Sequence, residues 1–167
     1  MDQPLATGEA MEKLRHMMRS IDLCMMTTRM PDGTLRSRPM SNNGEVEPDG
    51  DMWFFTDAGS SKVDELQAAP EVNVSFVSSD RQQFVSLSGR ASLVRDAAKI
   101  RELWRPTLKA WFAQGPDTPG IALVRVSAHH AEYWDGPGRI ATAIGLVKAA
   151  VTGEQYDGGE NRKLRLD

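Results

Sequence analysis

Apolar residues recur at helical spacing near the beginning of the chain. Met11, Leu14, Met18 and Ile21 are separated by three or four residues, so they share one face of a helix. Thr7 stands before this stretch, and its side chain is of a type that caps the first turn of a helix. The pattern predicts an amphipathic first helix that packs one face against the rest of the chain.

The next stretch predicts two paired strands. Residues 23–28 read as a strand, and the Asp-Gly pair in MPDGT is typical of a tight hairpin turn. In the second strand, within TLRSRPMSNN at residues 34–43, alternation places Arg36, Arg38 and Met40 on one face. Two cations on one strand face need negatively charged partners, either carboxylates of the chain or a bound anion. The strand is therefore a candidate for an anion-binding role.

Later segments show strand and helix patterns in turn. Strands are predicted in MWFFT, VNVSFVS, QQFVSLSGRASLV, IALVRVS and AEYWD. Helical period appears in SSKVDELQAA, with Ser60 or Ser61 as N-cap and Pro70 at its end. It also appears in RDAAKIRELWRPTLKAWF, a helical segment that Pro106 should split. Most strands follow one another directly, which favours a mainly β, α+β fold: a small antiparallel barrel with helices outside. We expect one domain over residues 1–152 and a polar, weakly patterned tail at 153–167.

Composition disfavours several classes of protein. The formal net charge is −3 over 167 residues, so there is no general basic field for nucleic acid. Cys24 is the single cysteine, which excludes an internal disulfide and is interpreted as a buried core thiol. No apolar run reaches the roughly 20 residues that span a bilayer, and the first residues lack a signal-peptide pattern. We therefore expect a cytoplasmic protein that binds neither nucleic acid nor membrane.

Motifs for the common cofactors and metals do not occur. The chain contains no GxGxxG, P-loop, CxxC or HExxH motif. His129 and His130 are neighbours, but adjacent strand residues face opposite ways, so we expect no metal or haem site there. Trp104 and Trp111 are seven residues apart on a helical segment, which predicts one shared packing face. No Ser-His-Asp or Cys-His set has suitable spacing, which disfavours covalent catalysis.

One cluster of residues predicts an anion site. A capped helix start offers free backbone N–H groups and the positive end of the helix dipole. Lys62 lies in that first turn, where the dipole disfavours a cation unless an anion is present. Arg38 supplies a guanidinium, and Thr56 and Ser61 supply hydroxyl groups. In the alternative interpretation, Arg36 and Arg38 pair with carboxylates on a solvated sheet face, and Lys62 is an ordinary surface residue.

Six ordered stretches carry a resemblance to a known family. They are RSRPM, WFFTD, SSKVDEL, VSLSGRA, LWRPTLKAWFAQGPDTPGIALVRV and AEYWDG. In this order, over roughly residues 9–152, the chain resembles the FMN-binding split-barrel family related to pyridoxamine 5′-phosphate oxidase, and specifically its general stress protein branch. The resemblance implies a six-stranded antiparallel split β-barrel with flanking helices. It also implies a homodimer that binds FMN, with FAD as the alternative cofactor, in clefts between the subunits.

The resemblance further implies which residues contact the flavin. By similarity these are Arg38, Pro39, Met40, Phe55 and Thr56 along the ring and ribityl chain, Ser61 and Lys62 at the phosphate, and, from the other subunit, Gln82 or Gln83 and Trp134. The phosphate position coincides with the anion site that the residues predict by themselves. No catalytic residue and no metal ligand is implied.

Two departures from the family pattern bear on the reaction. Where the oxidase has a lysine for the vitamin phosphate, this chain has Asn43, and where it has an Arg-x-His pair, this chain has Arg139 without the histidine. These differences argue against pyridoxine-phosphate oxidation. The first hypothesis is therefore a flavin-dependent oxidoreductase of the general stress protein type, with an unknown substrate and NADH or NADPH as reductant. The alternatives are a flavin-binding protein without turnover, serving as a cofactor store or a redox or light sensor, and a barrel that has lost its cofactor.

Overall fold

The chain contains four α-helices and seven strands within the described residues. The computed structural model describes residues 6–42, 44, 46–47, 50–153, 155–156 and 158–166, and of Arg139 and Ile140 only the backbone. Asn43 lies outside the described residues. The helices are α1 (Gly8–Arg19), α2 (Ser61–Ala68), α3 (Ala97–Leu103) and α4 (Arg139–Thr152), and the strands are β1 (Leu23–Arg29), β2 (Leu35–Ser41), β3 (Met52–Asp57), β4 (Glu71–Ser78), β5 (Gln83–Val94), β6 (Ile121–Asp135) and β7 (Glu160–Arg165).

The strands form one antiparallel sheet in the order β2-β1-β4-β5-β6-β3. These six strands curl into a half-barrel with flanking helices, which confirms the predicted six-stranded split barrel. The long strand β6 pairs with β5 along one edge. Its other edge is divided between β3, which pairs with residues 121–126, and β7, which pairs with residues 130–135.

Helix α1 packs on the barrel as its sequence pattern predicts. It buries Leu14, Met17 and Met18, and the Thr7 hydroxyl accepts a hydrogen bond from the Ala10 N–H at 3.3 Å. The main core lies between α1 and the inner sheet face, where alternate residues of β1, β4, β5 and β6 are buried. Cys24 belongs to this core, and burial raises the pKa of its thiol to about 12.

The predicted hairpin forms between β1 and β2. Their register pairs Cys24 with Met40 and Met26 with Arg38. The turn is closed by a hydrogen bond from the Met30 N–H to the Thr34 carbonyl at 2.8 Å, and Gly33 adopts a positive φ of 86°. The Asp-Gly signal therefore identified the turn correctly, because only a residue without Cβ adopts this backbone conformation at little cost.

Three segments differ from the sequence prediction. The polar residues 160–165 form strand β7, whereas no element was predicted there, and residues 139–152 form α4. The two strands predicted in IALVRVS and AEYWD are one continuous strand, β6. As predicted, Pro106 ends the helical segment: α3 stops at Leu103, and two short 3-10 helices follow, Pro106–Ala110 and Gly115–Asp117.

A β-bulge at His129 interrupts the pairing of β5 with β6. Ser88 pairs with His130 and Gly89 with Ala128, so His129 is the extra residue. The bulge brings the two imidazole Nδ1 atoms to 2.7 Å, so the prediction that these histidines face opposite ways is wrong. The described residues contain no group of three or more potential metal ligands. Among them, too, no helix has the length and apolar character to cross a membrane.

Candidate functional site

A cleft of about 620 Å³ opens beside the first turn of α2. Its lining residues come mainly from β2, β3, the start of α2 and the segment that follows α3. The lining residues are Leu23, Pro39, Met40, Ser41, Phe55, Thr56, Asp57, Ser60, Lys62, Leu108, Trp111, Phe112, Thr118 and Pro119. Five of the ten residues predicted to bind a flavin lie in this set: Pro39, Met40, Phe55, Thr56 and Lys62.

The start of α2 presents uncapped backbone N–H groups beside this cleft. Ser60 is the N-cap residue, but its hydroxyl makes no capping hydrogen bond and lies 3.4 Å from the Thr56 hydroxyl instead. Among the described residues, the N–H groups of Ser61 and Lys62 have no hydrogen-bond acceptor. The Ser61 side chain is exposed and lies outside the cleft lining, where Ser60 takes its place. Free N–H groups at a helix start are a typical anion-binding arrangement.

Lys62 is a half-buried cation without an anionic partner. Its ammonium nitrogen contacts Met40 Sδ at 3.5 Å, and no carboxylate of the described residues lies within ion-pair distance. Burial lowers the pKa of Lys62, the nearby charge of Arg38 lowers it further, and Glu65 opposes the change. A desolvated cation at a helix N-terminus is unfavourable by itself. An anion in the cleft would stabilise it.

The two strand arginines share one carboxylate on α2. Arg38 Nη2 lies 2.5 Å from Glu65 Oε2, and Arg36 Nη1 lies 3.6 Å from Glu65 Oε1. The interpretation that these arginines pair with a carboxylate is thus correct, but Glu65 is buried, with 4% of its side chain exposed. Arg38 does not line the cleft, and its Nη1 atom is buried without a hydrogen-bond partner among the residues that the structure describes.

Part of the cleft lining is aromatic. Phe55 packs against Trp104 and Phe112, with ring centroids 5.9 and 6.1 Å apart, and the buried Leu108 also lines the cleft. Trp111 lines the cleft with 68% of its surface exposed. The predicted shared face of Trp104 and Trp111 is wrong, because Pro106 ends the regular helix between them. The sequence reasoning missed Trp111 as a lining residue for the same reason.

Gln82, Gln83 and Trp134 lie where the start of β5 pairs with the end of β6, outside the cleft lining. Gln83 Nε2 donates to Asp135 Oδ1 at 2.9 Å, and Gln82 Oε1 accepts a hydrogen bond from the Thr142 hydroxyl. Trp134 is partly exposed and pairs with Phe84 in the register. These residues do not line the cleft of their own chain. Their predicted contact with the flavin of a second copy therefore stays a prediction.

The sequence of this chain is similar to a family model and to a fungal protein. The model of the family described as pyridoxamine 5′-phosphate oxidase like matches residues 9–157. Protein bli-3 of Neurospora crassa is 32% identical over 142 residues, which are 80% of this chain and 68% of that protein.

Two solved structures extend this comparison. The general stress FMN/FAD binding protein from Xanthomonas citri is 32% identical, with a TM-score of 0.66 over 77% of this chain and 90% of its own. A putative general stress protein 26 from Jannaschia sp. is 21% identical, with a TM-score of 0.78 over 95% of this chain and 99% of its own. The second likeness supports the fold alone.

Proposed function

The chain belongs to the pyridoxamine 5′-phosphate oxidase-like family, and we propose that it is an FMN-binding flavoprotein of the general stress protein type that acts as a flavin-dependent oxidoreductase. The observation that carries this proposal is that one cleft is lined both by a cation and by aromatic side chains. Lys62 and the start of α2 contribute positive charge and free N–H groups, and Phe55, Trp111 and Phe112 contribute aromatic surface. A phosphate ester with a large planar ring combines the same charge and apolar surface.

The residues present fit the phosphate of a flavin. Lys62 has no anionic partner among the described residues, and its pKa is lowered by burial, so a phosphate would stabilise its charge. The hydroxyl groups of Thr56 and Ser60 lie beside the helix start and supply further donors. Pro39, Met40 and Phe55 provide the apolar surface along which the ring and ribityl chain would lie. FMN supplies the redox chemistry when it is bound.

The proposed reaction is redox transfer from NADH or NADPH to an unidentified acceptor, and not pyridoxine-phosphate oxidation. The lysine of the oxidase pattern is replaced by Asn43, and the histidine two residues after Arg139 is replaced by Ala141. The tasks of this chain are therefore to anchor the phosphate and to orient the ring. Trp111 and Phe112 line part of the cleft.

A second candidate is a flavin-binding protein without turnover. Of the described residues that line the cleft, only Asp57 and Lys62 ionise, and no histidine, cysteine or tyrosine is among them. This observation favours a cofactor store or a redox or light sensor, since a specific acid or base for a substrate is not apparent. Steady-state oxidation of NADH or NADPH with a quinone or ferricyanide acceptor separates the two functions: an oxidoreductase turns over repeatedly, and a store or sensor does not.

The first test is the visible absorption spectrum of the purified protein. We expect a flavin band, with FMN identified by chromatography after heat release at about one molecule per chain. Release of FAD instead would revise the cofactor and leave the phosphate site in place. A colourless protein that also fails to take up added FMN or FAD would contradict the proposal.

Substitution of Lys62 tests the phosphate site directly. We expect Lys62→Gln to weaken FMN binding about 10- to 100-fold, since a hydrogen bond to a charged group contributes about 1.5–3 kcal/mol. Lys99→Gln is the matched control, because Lys99 is paired with Glu47 and Glu102 away from the cleft. Titration of each apoprotein with FMN gives the dissociation constants. Equal affinities of Lys62→Gln and wild type would place the phosphate elsewhere.

A further inference from the structure

Glu65 is an unusual residue for the interior of this fold. It lies on the buried side of α2, three residues after Lys62, and its carboxylate faces β1 and β2. The Thr28 hydroxyl donates to Oε2 at 2.6 Å, Arg38 Nη2 lies 2.5 Å from the same atom, and Arg36 Nη1 lies 3.6 Å from Oε1. Burial would raise the pKa of Glu65, but the hydrogen bonds from Thr28 and Arg38 outweigh burial and lower it. The carboxylate is therefore ionised at neutral pH.

The charges around Glu65 do not balance within the described residues. Arg36, Arg38 and Lys62 carry three positive charges, and Glu65 is the carboxylate that the first two share. Arg36 is half exposed, so water screens its charge. Arg38 and Lys62 are less exposed. In the described part of the chain, Arg38 Nη1 has no hydrogen-bond partner, and the one hydrogen-bond contact of Lys62 Nζ is a thioether. The Lys62 ammonium lies beside Met40 in the cleft lining, and it is close enough to Arg38 and Glu65 for their charges to act on it.

We propose that Glu65 is a positioning residue of the phosphate site. It does not touch the phosphate. It holds the Arg38 guanidinium through Nη2, which leaves Nη1 as the unused donor, and its negative charge offsets the repulsion between Arg38 and Lys62 so that both stay in place. This inference rests on the proposed flavin function and adds to it the residue that organises the two cations.

A simpler role for Glu65 makes a different prediction. If the carboxylate only ties α2 to the β1–β2 hairpin, its loss should weaken every ligand of the cleft to the same degree, along with the fold. If it positions the phosphate donors, its loss should affect FMN and spare riboflavin, which has the same ring and ribityl chain without the phosphate. The ratio of the two dissociation constants therefore isolates the phosphate contribution.

The test compares FMN and riboflavin binding to apoprotein of wild type, Glu65→Gln and Glu65→Asp by flavin fluorescence titration. We expect Glu65→Gln to weaken FMN about tenfold, with riboflavin changed less than about twofold, and Glu65→Asp to recover part of the loss. Tenfold corresponds to about 1.4 kcal/mol. Glu47→Gln is the matched control, since Glu47 is bonded to Lys99 and Trp53 outside the cleft. It should leave both affinities unchanged.

Thr28→Val keeps the test decisive if Glu65→Gln does not fold. It retains the carboxylate and removes the hydroxyl that donates to it, so we expect a smaller loss of the same FMN-specific kind. Equal losses for FMN and riboflavin would reduce Glu65 to a structural bridge, and tighter FMN binding would show that it competes with the phosphate; either result overturns the inference. Wild-type protein that binds neither flavin would instead overturn the proposed function, and this inference with it.

Discussion

A single glycine permits the bulge that shapes the longest strand pair. A Cβ atom on Gly89 would lie 2.6 Å from the Ser127 carbonyl oxygen, and that oxygen is backbone, which cannot move aside without breaking the pairing of β5 with β6. We expect Gly89→Ala to lower the free energy of unfolding by about 1–3 kcal/mol, as overpacking in a core does. Urea unfolding followed by tryptophan fluorescence measures the change.

The same substitution elsewhere separates this contact from a general effect of glycine. Gly8 is the first residue of α1, and no atom of the described residues lies within 4 Å of the position of its Cβ. We expect Gly8→Ala to raise the free energy of unfolding by about 0.5 kcal/mol, because alanine reduces the conformational freedom of the unfolded chain. A Gly89→Ala protein as stable as wild type would show that the sheet relaxes around the added methyl group.

At the scale of the elements, strand β7 is joined to α1 and β6 by a cluster of ionised groups. Lys13 Nζ lies 2.7 Å from Asp135 Oδ2 and 2.5 Å from Glu160 Oε2, and the Tyr133 hydroxyl donates to Glu160. Burial would raise the pKa of Asp135, but the hydrogen bonds from Lys13 and Gln83 outweigh burial and lower it. The pKa of Glu160 is lowered by its hydrogen bonds from Lys13 and Tyr133. The folded state therefore holds these carboxylates ionised more strongly than the unfolded chain does.

These shifts predict a loss of stability in acid. A carboxyl group with a lowered folded-state pKa stabilises the fold above its unfolded value, and this contribution disappears as the pH falls through the folded value. The ordinary values are 3.8 and 4.5, so the loss belongs below about pH 4.5. We expect the double variant Asp135→Asn, Glu160→Gln to be less stable by about 1 kcal/mol at pH 7, a modest value because both pairs are partly exposed.

The difference in the free energy of unfolding between the double variant and wild type should become smaller as the pH approaches 3, because the wild type has by then lost the same interactions. Urea unfolding at pH 7, 5, 4 and 3 measures this difference. Asp117→Asn, which breaks an exposed pair with Arg101, is a control expected to change stability by less than about 0.5 kcal/mol throughout. A constant difference between the double variant and wild type at every pH would rule out the ionic explanation.

For the molecule as a whole, the outer sheet face carries a row of exposed apolar residues. Val77, Phe84 and Trp134 are successive partners across β4, β5 and β6, and Leu23 and Met25 are exposed on β1 in the same sheet. Such a row is a typical interface in a soluble oligomer. Trp134, which belongs to this row, is predicted together with Gln82 or Gln83 to reach the flavin of a second copy, and Gln83 directly precedes Phe84 in β5. We therefore expect a homodimer through this face.

Phe84→Glu tests the dimer and the flavin site together. We expect the variant to be monomeric at micromolar concentration, because a charge in an apolar interface is not compensated, and to lose most of its flavin. Leu35→Glu is the control, since Leu35 is also exposed but lies on the edge strand β2, away from the row. Light scattering after size-exclusion chromatography, with the flavin absorbance recorded, gives both quantities. A wild-type protein that is monomeric and still binds about one flavin per chain would contradict the prediction that a second copy contributes to the site.

The local pattern of the sequence by itself determined most of the elements and indicated part of the candidate site. The period of apolar residues located α1, the Asp-Gly pair located the hairpin, and the lysine at a helix start indicated an anion, because each signal involves residues that are neighbours in the chain. Only the tertiary structure decided three other features: the pairing of Arg38 with Glu65, the place of Trp111 in the cleft, and the pairing of β7 with β6. These contacts join segments far apart in sequence, and their energy comes from burial and charge pairing that no single segment contains.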